Sequence, residues 1–359
     1  MGDSEDGSRS RSRGWKIGRA VLSLGLAAAI LWYSLDNVGD LSQVGTEIEK
    51  MTGWELLTLL LLGAWNLVTY CLVMVAATPG LTYPQALVVT QASTAVSNTV
   101  PGGSAISIGL TYAMLGSWGF SKSRATLSTI VSGLWNNFAK LSLPVLALAF
   151  LALGGTPSPA RVTAGLAGLG ALIAAVIVFA LILRRETYAR RVGDGIGRAF
   201  SKVRRIFGKG PVSGWGGATA KFRARTIGLV RQRWLWLTVT TLVSQFSLYL
   251  VLLVALRHVG VSDNEVDWAE ILAVFAFVRL LTAIPLTPGG LGIIELALIS
   301  GLTAAGGDKS QVTAAVLIFR FLTYVVPIGL GLLTYLYWRT NKSWRDSAPP
   351  LSPSLSPAA

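Results

Sequence analysis

The sequence predicts an all-α, polytopic membrane protein of about 7–8 membrane segments, with two inverted repeats that each contain a Pro-Gly-Gly-broken, re-entrant helix pair. Three observations carry this. Of 359 residues, 52% are hydrophobic and only 13% are charged, against about 25% charge in an ordinary soluble domain. Apolar runs near the ~20 residues that cross a bilayer as helix recur along the chain. A Pro-Gly-Gly tripeptide interrupts two of the apolar regions, at Pro101-Gly102-Gly103 and Pro288-Gly289-Gly290. The same composition argues against a soluble globular enzyme. A single cysteine, Cys71, excludes an intramolecular disulfide framework and a cysteine-cluster metal site. A single histidine, His258, excludes a multi-histidine metal site and argues against a Ser-His-Asp triad. No catalytic residue, cofactor or metal is expected, and the chain is read as a non-enzyme.

Residues 1–14 are rich in Ser, Asp and Arg and read as a disordered cytoplasmic N-terminus. The run Ile17 to Tyr33 lacks a convincing small-residue cleavage site and reads as a retained span. Trp54 to Ala77 is the next span, followed by Ala125 to Leu153 and Val162 to Leu183. After a polar gap come Trp234 to Leu256, Trp268 to Ile284 and Val312 to Trp338. Residues 341–359 are rich in Pro and Ser and read as a disordered cytoplasmic tail. The membrane region, residues 15–340, divides into repeat one (about 54–153), a basic loop (184–233) and repeat two (about 234–338).

The charge map sets the orientation. Of the formal net charge of +14, the stretch Arg184 to Arg233 holds +12, from 14 Lys/Arg against Glu186 and Asp194. Nucleic-acid binding is one reading of such a run; the positive-inside rule is the better one, and no nucleic-acid partner is expected. Within the stretch, Tyr188, Val192, Ile196, Phe200, Val203 and Phe207 recur at helical spacing. This predicts a basic amphipathic helix on the inner leaflet, followed by a flexible turn over Gly208 to Gly217. The flank Arg9, Arg11, Arg13, Lys16 and Arg19 is basic, as is Arg339, Lys342 and Arg345. Both termini are therefore expected in the cytoplasm of a plasma-membrane protein, with the acidic loop Ser34 to Gly53 outside.

Two segments fit no simple span. Pro84 and Pro101 bracket 16 residues that include Gln85, Gln91, Ser97, Asn98 and Thr99, which is about 24 Å of helix, too short and polar to face lipid throughout. Pro285 and Pro288-Gly289-Gly290 break the second, leaving Leu291 to Leu302, only 12 residues. Aligning Pro101 with Pro288 also aligns Ile106 with Ile293, Leu115 with Leu302, Gly119 with Gly306, and Lys122-Ser123 with Lys309-Ser310. This is an internal repeat. With the expected orientation the two breaks enter from opposite faces, the arrangement that places a binding site at the midplane. Full spans kinked at Pro-Gly-Gly fit the charge map equally; shortness and polarity favour re-entrant hairpins.

Ionisable residues inside apolar runs are few: Lys140, Arg279, Glu295 and Arg320. Each costs roughly 2.5–3.5 kcal/mol at the bilayer centre, so each is expected to face a cavity or a partner. One arrangement pairs Glu295 with one arginine and leaves the other for a phosphate, held by forked charge-assisted bonds. The other is a closed Arg–Glu–Arg network that only fixes packing. Asn98, Thr99, Ser104, Ser107, Asn136, Asn137 and Lys140 supply mostly neutral hydrogen-bonding groups, as interhelical glue or as cavity wall. The N–H groups of half-helices starting at Gly102 and Gly289 are candidate anion donors. Trp135, like the other tryptophans, reads as an interface anchor. There is no GxxxxGK[ST] phosphate loop, so any transport is expected to be passive or ion-coupled.

The residues Asn98-Thr-Val-Pro101-Gly-Gly, Trp135-Asn136-Asn137, Pro285-Leu-Thr-Pro288-Gly-Gly-Leu-Gly-Ile-Ile-Glu295 and Arg320 resemble the lysylphosphatidylglycerol synthase transmembrane region. This is the flippase-like domain family of bacterial and archaeal membrane proteins. The resemblance covers roughly residues 15 to 340. It implies a lipid-handling domain that moves a polar glycero- or polyprenyl-phospholipid between leaflets, without the soluble aminoacyl-transferase domain that family synthases carry. It adds Pro101, Gly102, Gly103, Pro288, Gly289 and Gly290 to Asn98, Asn136, Asn137, Lys140, Arg279, Glu295 and Arg320 as binding residues. Family members often carry a Gly-Glu and an Arg after the first proline; here Ser104-Ala105-Ile106-Ser107-Ile108-Gly109 stands there, which counts against a lysyl-lipid substrate. Expected partners are membrane lipids, an anionic phospholipid above all, and a second copy in a homodimer. The alternatives are a secondary transporter of a small anionic or amino-acid-like solute and a non-transporting scaffold.

Overall fold

The computed structural model describes residues 46–345, apart from 48, 101–102, 154–158, 189–190, 192–193, 196, 199–200, 202–214 and 283–286. Among the described residues all regular structure is helical. Thr52 starts α1 (Gly53–Ala77) with a capping box: its side chain accepts from the Glu55 N–H while Glu55 reaches back to the Thr52 backbone. Thr82 and Gln85 do the same for α2 (Tyr83–Thr99). Then follow α3 (Gly103–Ser117), α4 (Lys122–Leu153), α5 (Pro159–Arg184) and α6 (Trp215–His258). Asp267 caps α7 (Trp268–Leu281). A 3-10 turn over Pro288–Gly290 separates it from α8 (Ile293–Ala304), and Asp308 caps α9 (Lys309–Arg320). A π-helical turn, Phe321–Val325, leads into α10 (Val326–Thr340) and the short α11 (Lys342–Arg345).

Four helical stretches are long and apolar enough to cross a membrane: Gly53–Ala77, Lys122–Ala152, Phe222–His258 and Lys309–Thr340. These coincide with four of the expected spans, and α5 is helical where a fifth is expected. On α1 the exposed residues Trp54, Leu57, Leu61, Trp65 and Val68 recur every three or four positions, an apolar stripe that no described residue covers, suited to lipid. The expected span Ile17 to Tyr33 lies outside the described residues, as do Val192, Ile196, Phe200, Val203 and Phe207 of the expected amphipathic helix. One boundary differs from expectation. The basic segment does not stay in a loop until Arg233; α6 begins at Trp215 and carries Arg223, Arg225, Arg231 and Arg233 as helix. From Ala218 to Arg233 strong helix formers (Ala, Lys, Arg, Leu and Gln) predominate, so the apolar helix extends toward the polar side.

Helices α1 and α6 run antiparallel in contact along their length. The Thr58 hydroxyl meets His258 Nε2 at 2.7 Å at one end, Asn66 donates to the Ser244 carbonyl at 3.4 Å, and Arg233 donates to the Val75 carbonyl at 3.5 Å at the other. The two broken segments follow the C-terminal ends of these two helices, so they start from opposite ends of the pair. Each folds back as a hairpin instead of kinking onward. Helices α2 and α3 are joined by Ser93–Thr111 (2.8 Å) and Ser97–Ser104 (3.4 Å) hydroxyl contacts. In the second hairpin the α-carbon of Gly301 packs so close to Val274 that a Cβ there would stand 2.6 Å from its side chain.

The repeat extends to local geometry. Gly119 and Gly306 both turn with positive φ, 79° and 120°. Ser121 and Asp308 then cap the next helix, accepting from backbone N–H groups two to three residues on. Lys122 and Lys309 are the first residues of α4 and α9. Packing is reciprocal: α2 of the first repeat lies on α10 of the second, and α7 of the second lies on α4 of the first.

The α2–α10 contact depends on a glycine. A Cβ on Gly331 would collide with the Gln91 carbonyl oxygen and stand 2.5 Å from the Ala95 side chain, whereas one on Gly329 would meet nothing within 4 Å. Gly331→Ala is expected to destabilise by about 1–3 kcal/mol through overpacking, and Gly329→Ala to be neutral or stabilising. Thermal unfolding of the two variants in detergent checks this.

Candidate functional site

The two breaks meet. The Tyr324 hydroxyl donates to the Asn98 carbonyl at 2.7 Å, joining the end of α2 to the π-helical turn. Gly289 sits against both: its φ of +60° admits glycine readily, and a Cβ there would collide with the Tyr324 ring and stand 3.0 Å from Asn98 Oδ1. Gly290, at φ +71°, completes the turn. The π-helical turn has its own cause. Pro327 offers no N–H to the preceding turn, and the widened turn accommodates the loss while carrying Tyr324 beneath Arg320.

Arg320 is the hub. Its Nε donates to Glu295 Oε1 at 2.5 Å, its Nη2 donates to the Gly289 carbonyl at 3.3 Å, and its guanidinium lies 4.4 Å from the Tyr324 ring centroid. Glu295 stands in the first turn of α8, where the helix dipole favours a carboxylate, and is 4% exposed. Its second oxygen, Oε2, is buried with no hydrogen-bond partner. Arg279 bonds to a neutral amide instead. It donates through Nε and Nη2 to Gln245 Oε1 at 3.3 and 3.2 Å, and Gln245 Nε2 donates to Asn136 Oδ1 at 2.7 Å. Among the described residues no carboxylate pairs with Arg279 or Lys140. The closed Arg–Glu–Arg network is therefore not what forms.

These groups share a cavity of about 320 Å³ between the hairpins, whose wall includes Asn98, Asn136, Lys140, Arg279, Gly289 and Arg320. A second hollow of about 300 Å³ adjoins it through Tyr70, Asn98, Asn136 and Gln245. Each volume lies near the lower end of the roughly 300–1,000 Å³ typical of small-molecule sites. Among the described residues the wall carries three cations, and the one carboxylate beside it is bound to Arg320. Such a cavity attracts an anion: desolvated guanidinium groups bind phosphate or carboxylate oxygens by paired, charge-assisted hydrogen bonds.

Not every expected residue is here. Asn137 is exposed and off the cavity wall, because successive helical residues point about 100° apart; Asn136 and Lys140, four apart, share the face. Gly103 is buried in the first turn, where a Cβ would strike the Val96 carbonyl oxygen, and does not line the cavity. Pro101 and Gly102 lie outside the described residues. The second half-helix starts at Ile293, not at Gly289, and the break contributes its Gly289 carbonyl to Arg320. Trp135 is no interface anchor; it is 9% exposed and its indole donates to Thr238 at 3.1 Å, tying α4 to α6. Three contributors were missed: Gln245, Tyr324 and Tyr70. A search confined to ionisable residues skips neutral polar ones, yet Thr240, Thr241, Ser244 and Gln245 cluster inside an otherwise apolar span.

A bundle of apolar helices enclosing a cationic cleft between two broken hairpins defines a polytopic membrane protein with a central polar site. Residues 20–331 match the lysylphosphatidylglycerol synthase TM region, and the chain belongs to that family. A phosphatidylglycerol lysyltransferase of Staphylococcus haemolyticus (strain JCSC1435) is 28% identical over 93 residues, 26% of this chain and 11% of that protein. One from Staphylococcus xylosus is 28% identical over 113 residues, 31% of this chain and 13% of that protein. The UPF0104 membrane protein MJ1078 of Methanocaldococcus jannaschii is 41% identical over 62 residues, 17% of this chain and 26% of that protein. The matched stretches thus span a small part of each relative's length.

Glu295 and Arg320 are expected to be strongly coupled. Glu295→Gln leaves a buried guanidinium without its counter-charge and is expected to destabilise by about 3–5 kcal/mol. Glu295→Gln/Arg320→Gln removes both charges and is expected to recover much of that loss. A double-mutant cycle on thermal or denaturant unfolding checks the coupling.

Proposed function

We propose that this chain is a flippase-like membrane protein that binds the phosphate-bearing headgroup of an anionic lipid in the central cleft and moves it between the leaflets of the plasma membrane. The observation that carries the reading is the charge imbalance in the cleft. Lys140, Arg279 and Arg320 line it, and the one carboxylate among them is held by Arg320. Burying unpaired cations in a membrane bundle is unfavourable, and an anionic ligand removes that cost. Family membership agrees with a lipid as the ligand, since relatives are named for a reaction on phosphatidylglycerol. In this reading both termini and the basic segment face the cytoplasm, and the chain transports without modifying the lipid.

A binding site between hairpins that start from opposite ends gives a route for transport. Rocking one repeat against the other would expose the headgroup to each side in turn, while the acyl chains stay in lipid. The carboxylate of Glu295, with one oxygen unpartnered, is the group through which a proton could couple to that motion.

The test is reconstitution of the full chain into vesicles containing headgroup-labelled phosphatidylglycerol, with leaflet exchange read by an external quencher. Wild-type protein is expected to accelerate exchange, and Arg279→Gln to slow it by about tenfold or more, as the loss of one charge-assisted contact implies. Uptake of a small anionic solute without lipid exchange would overturn the lipid reading in favour of a solute transporter. Exchange by Glu295→Gln with the same pH profile as wild type would exclude proton coupling through that residue.

A further inference from the structure

A second cationic pocket lies well away from the cleft. It has a volume of about 470 Å³ and shares no lining residue with the central cavity. It is built where the two repeats join: the turn after α1, the N-terminus of α4 and the polar extension of α6. Arg124, Arg225 and Arg233 line it, and among the described residues no Asp or Glu does. Ser121, Ser123 and Thr78 also line it. Thr78 is 2% exposed, and its hydroxyl is buried without a hydrogen-bond partner.

Arginines at the end of a membrane helix need no ligand to explain them, since topology alone places them there. Topology does not explain their convergence on one hollow from two separate elements, with a buried, unsatisfied hydroxyl in its wall. Arg233 spends one nitrogen on the Val75 carbonyl at 3.5 Å, which leaves most of its fork free. A pocket of this kind holds like charges together and leaves a buried hydroxyl without a protein partner. A tetrahedral oxyanion with several acceptor oxygens relieves both.

From this geometry we infer that the pocket is a second binding site for a phosphate-bearing anion. Its position at the polar end of α6, beside the basic segment, fits the headgroup of an anionic phospholipid in the adjacent leaflet. In the orientation of the proposed function that leaflet is cytoplasmic; the inference about the pocket itself does not depend on transport. Because the ligand would bridge α1, α4 and α6, its occupancy fixes the junction between the repeats.

The test uses the full chain in nanodiscs of phosphatidylcholine, with or without phosphatidylglycerol, and in phosphatidylcholine with added inorganic phosphate. Bound phosphatidylglycerol is read by native mass spectrometry and phosphate by thermal shift, for wild type, Arg279→Gln and Arg279→Gln with Arg124→Gln/Arg225→Gln added. Arg279→Gln weakens the cleft, and adding Arg124→Gln/Arg225→Gln to it is expected to weaken the phosphatidylglycerol binding that remains by about tenfold. A phosphatidylglycerol effect without an inorganic phosphate effect assigns a lipid headgroup; both together assign any phosphate group. Equal affinity with and without the pair substitution in the Arg279→Gln background, or no binding of either probe to wild type, overturns the inference. Should the pair variant fail to fold, Arg124→Lys/Arg225→Lys in the same background keeps the charge and loses the fork. It is expected to bind several-fold more weakly, and unchanged affinity overturns the inference equally. Loss of lipid exchange in Arg279→Gln with this binding intact separates the two sites.

Discussion

The contact between Arg320 and Glu295 constrains the rest of the protein. A guanidinium in the interior of an apolar bundle is tolerated only where its charge and donors are met. Here a carboxylate, a backbone carbonyl and an aromatic face meet it. Each partner requires something of the fold. The carboxylate needs the first turn of α8 close to the end of α9. The carbonyl needs a chain break at Gly289, since a carbonyl inside a helix is already engaged. The ring needs the widened turn after Arg320. The broken helix and the buried ion pair are therefore two sides of one arrangement.

The same reasoning explains why the repeats are interlocked and not side by side. A half-helix of 12 to 17 residues leaves backbone groups unsatisfied at its broken end, and these are tolerated at membrane depth only against protein or water. Placing each hairpin against the long helix of the other repeat covers both breaks. It also brings them face to face, so that Tyr324 can donate to the carbonyl of Asn98. A cleft between the hairpins follows from this packing, and its polarity follows from the residues that the breaks require.

Much of this was legible in the sequence because it rests on residues with few roles. Pro-Gly-Gly cannot continue a helix, so its recurrence, with Gly119/Gly306 and Lys122/Lys309 at matching distances, marks the repeat before any coordinates. The rarity of charge made Lys140, Arg279, Glu295 and Arg320 stand out. Less was legible where a residue's role depends on its neighbours. Gln245 is one polar residue among several in α6, and only its contacts with Asn136 and Arg279 distinguish it. Asn137 resembles Asn136 in every local respect and differs only in the direction that its helix gives it. The length of α6 was hidden because its polar extension is helical for reasons of propensity, not apolarity.

In the proposed function, two independent features of the cleft constrain the headgroup. After the first break, Ser104 to Gly109 carries no charge, so the first repeat adds no second carboxylate to the site. In the second repeat, the one carboxylate beside the cleft among the described residues is neutralised by Arg320. A headgroup bearing an added ammonium, as in a lysyl lipid, would face Lys140 and Arg279 with no acceptor of opposite charge, and like charges in a low-dielectric cleft repel strongly. A headgroup whose only charge is its phosphate meets no such penalty. In the proposed function, the cleft therefore selects the unmodified anionic lipid by repulsion of the cationic one as much as by attraction.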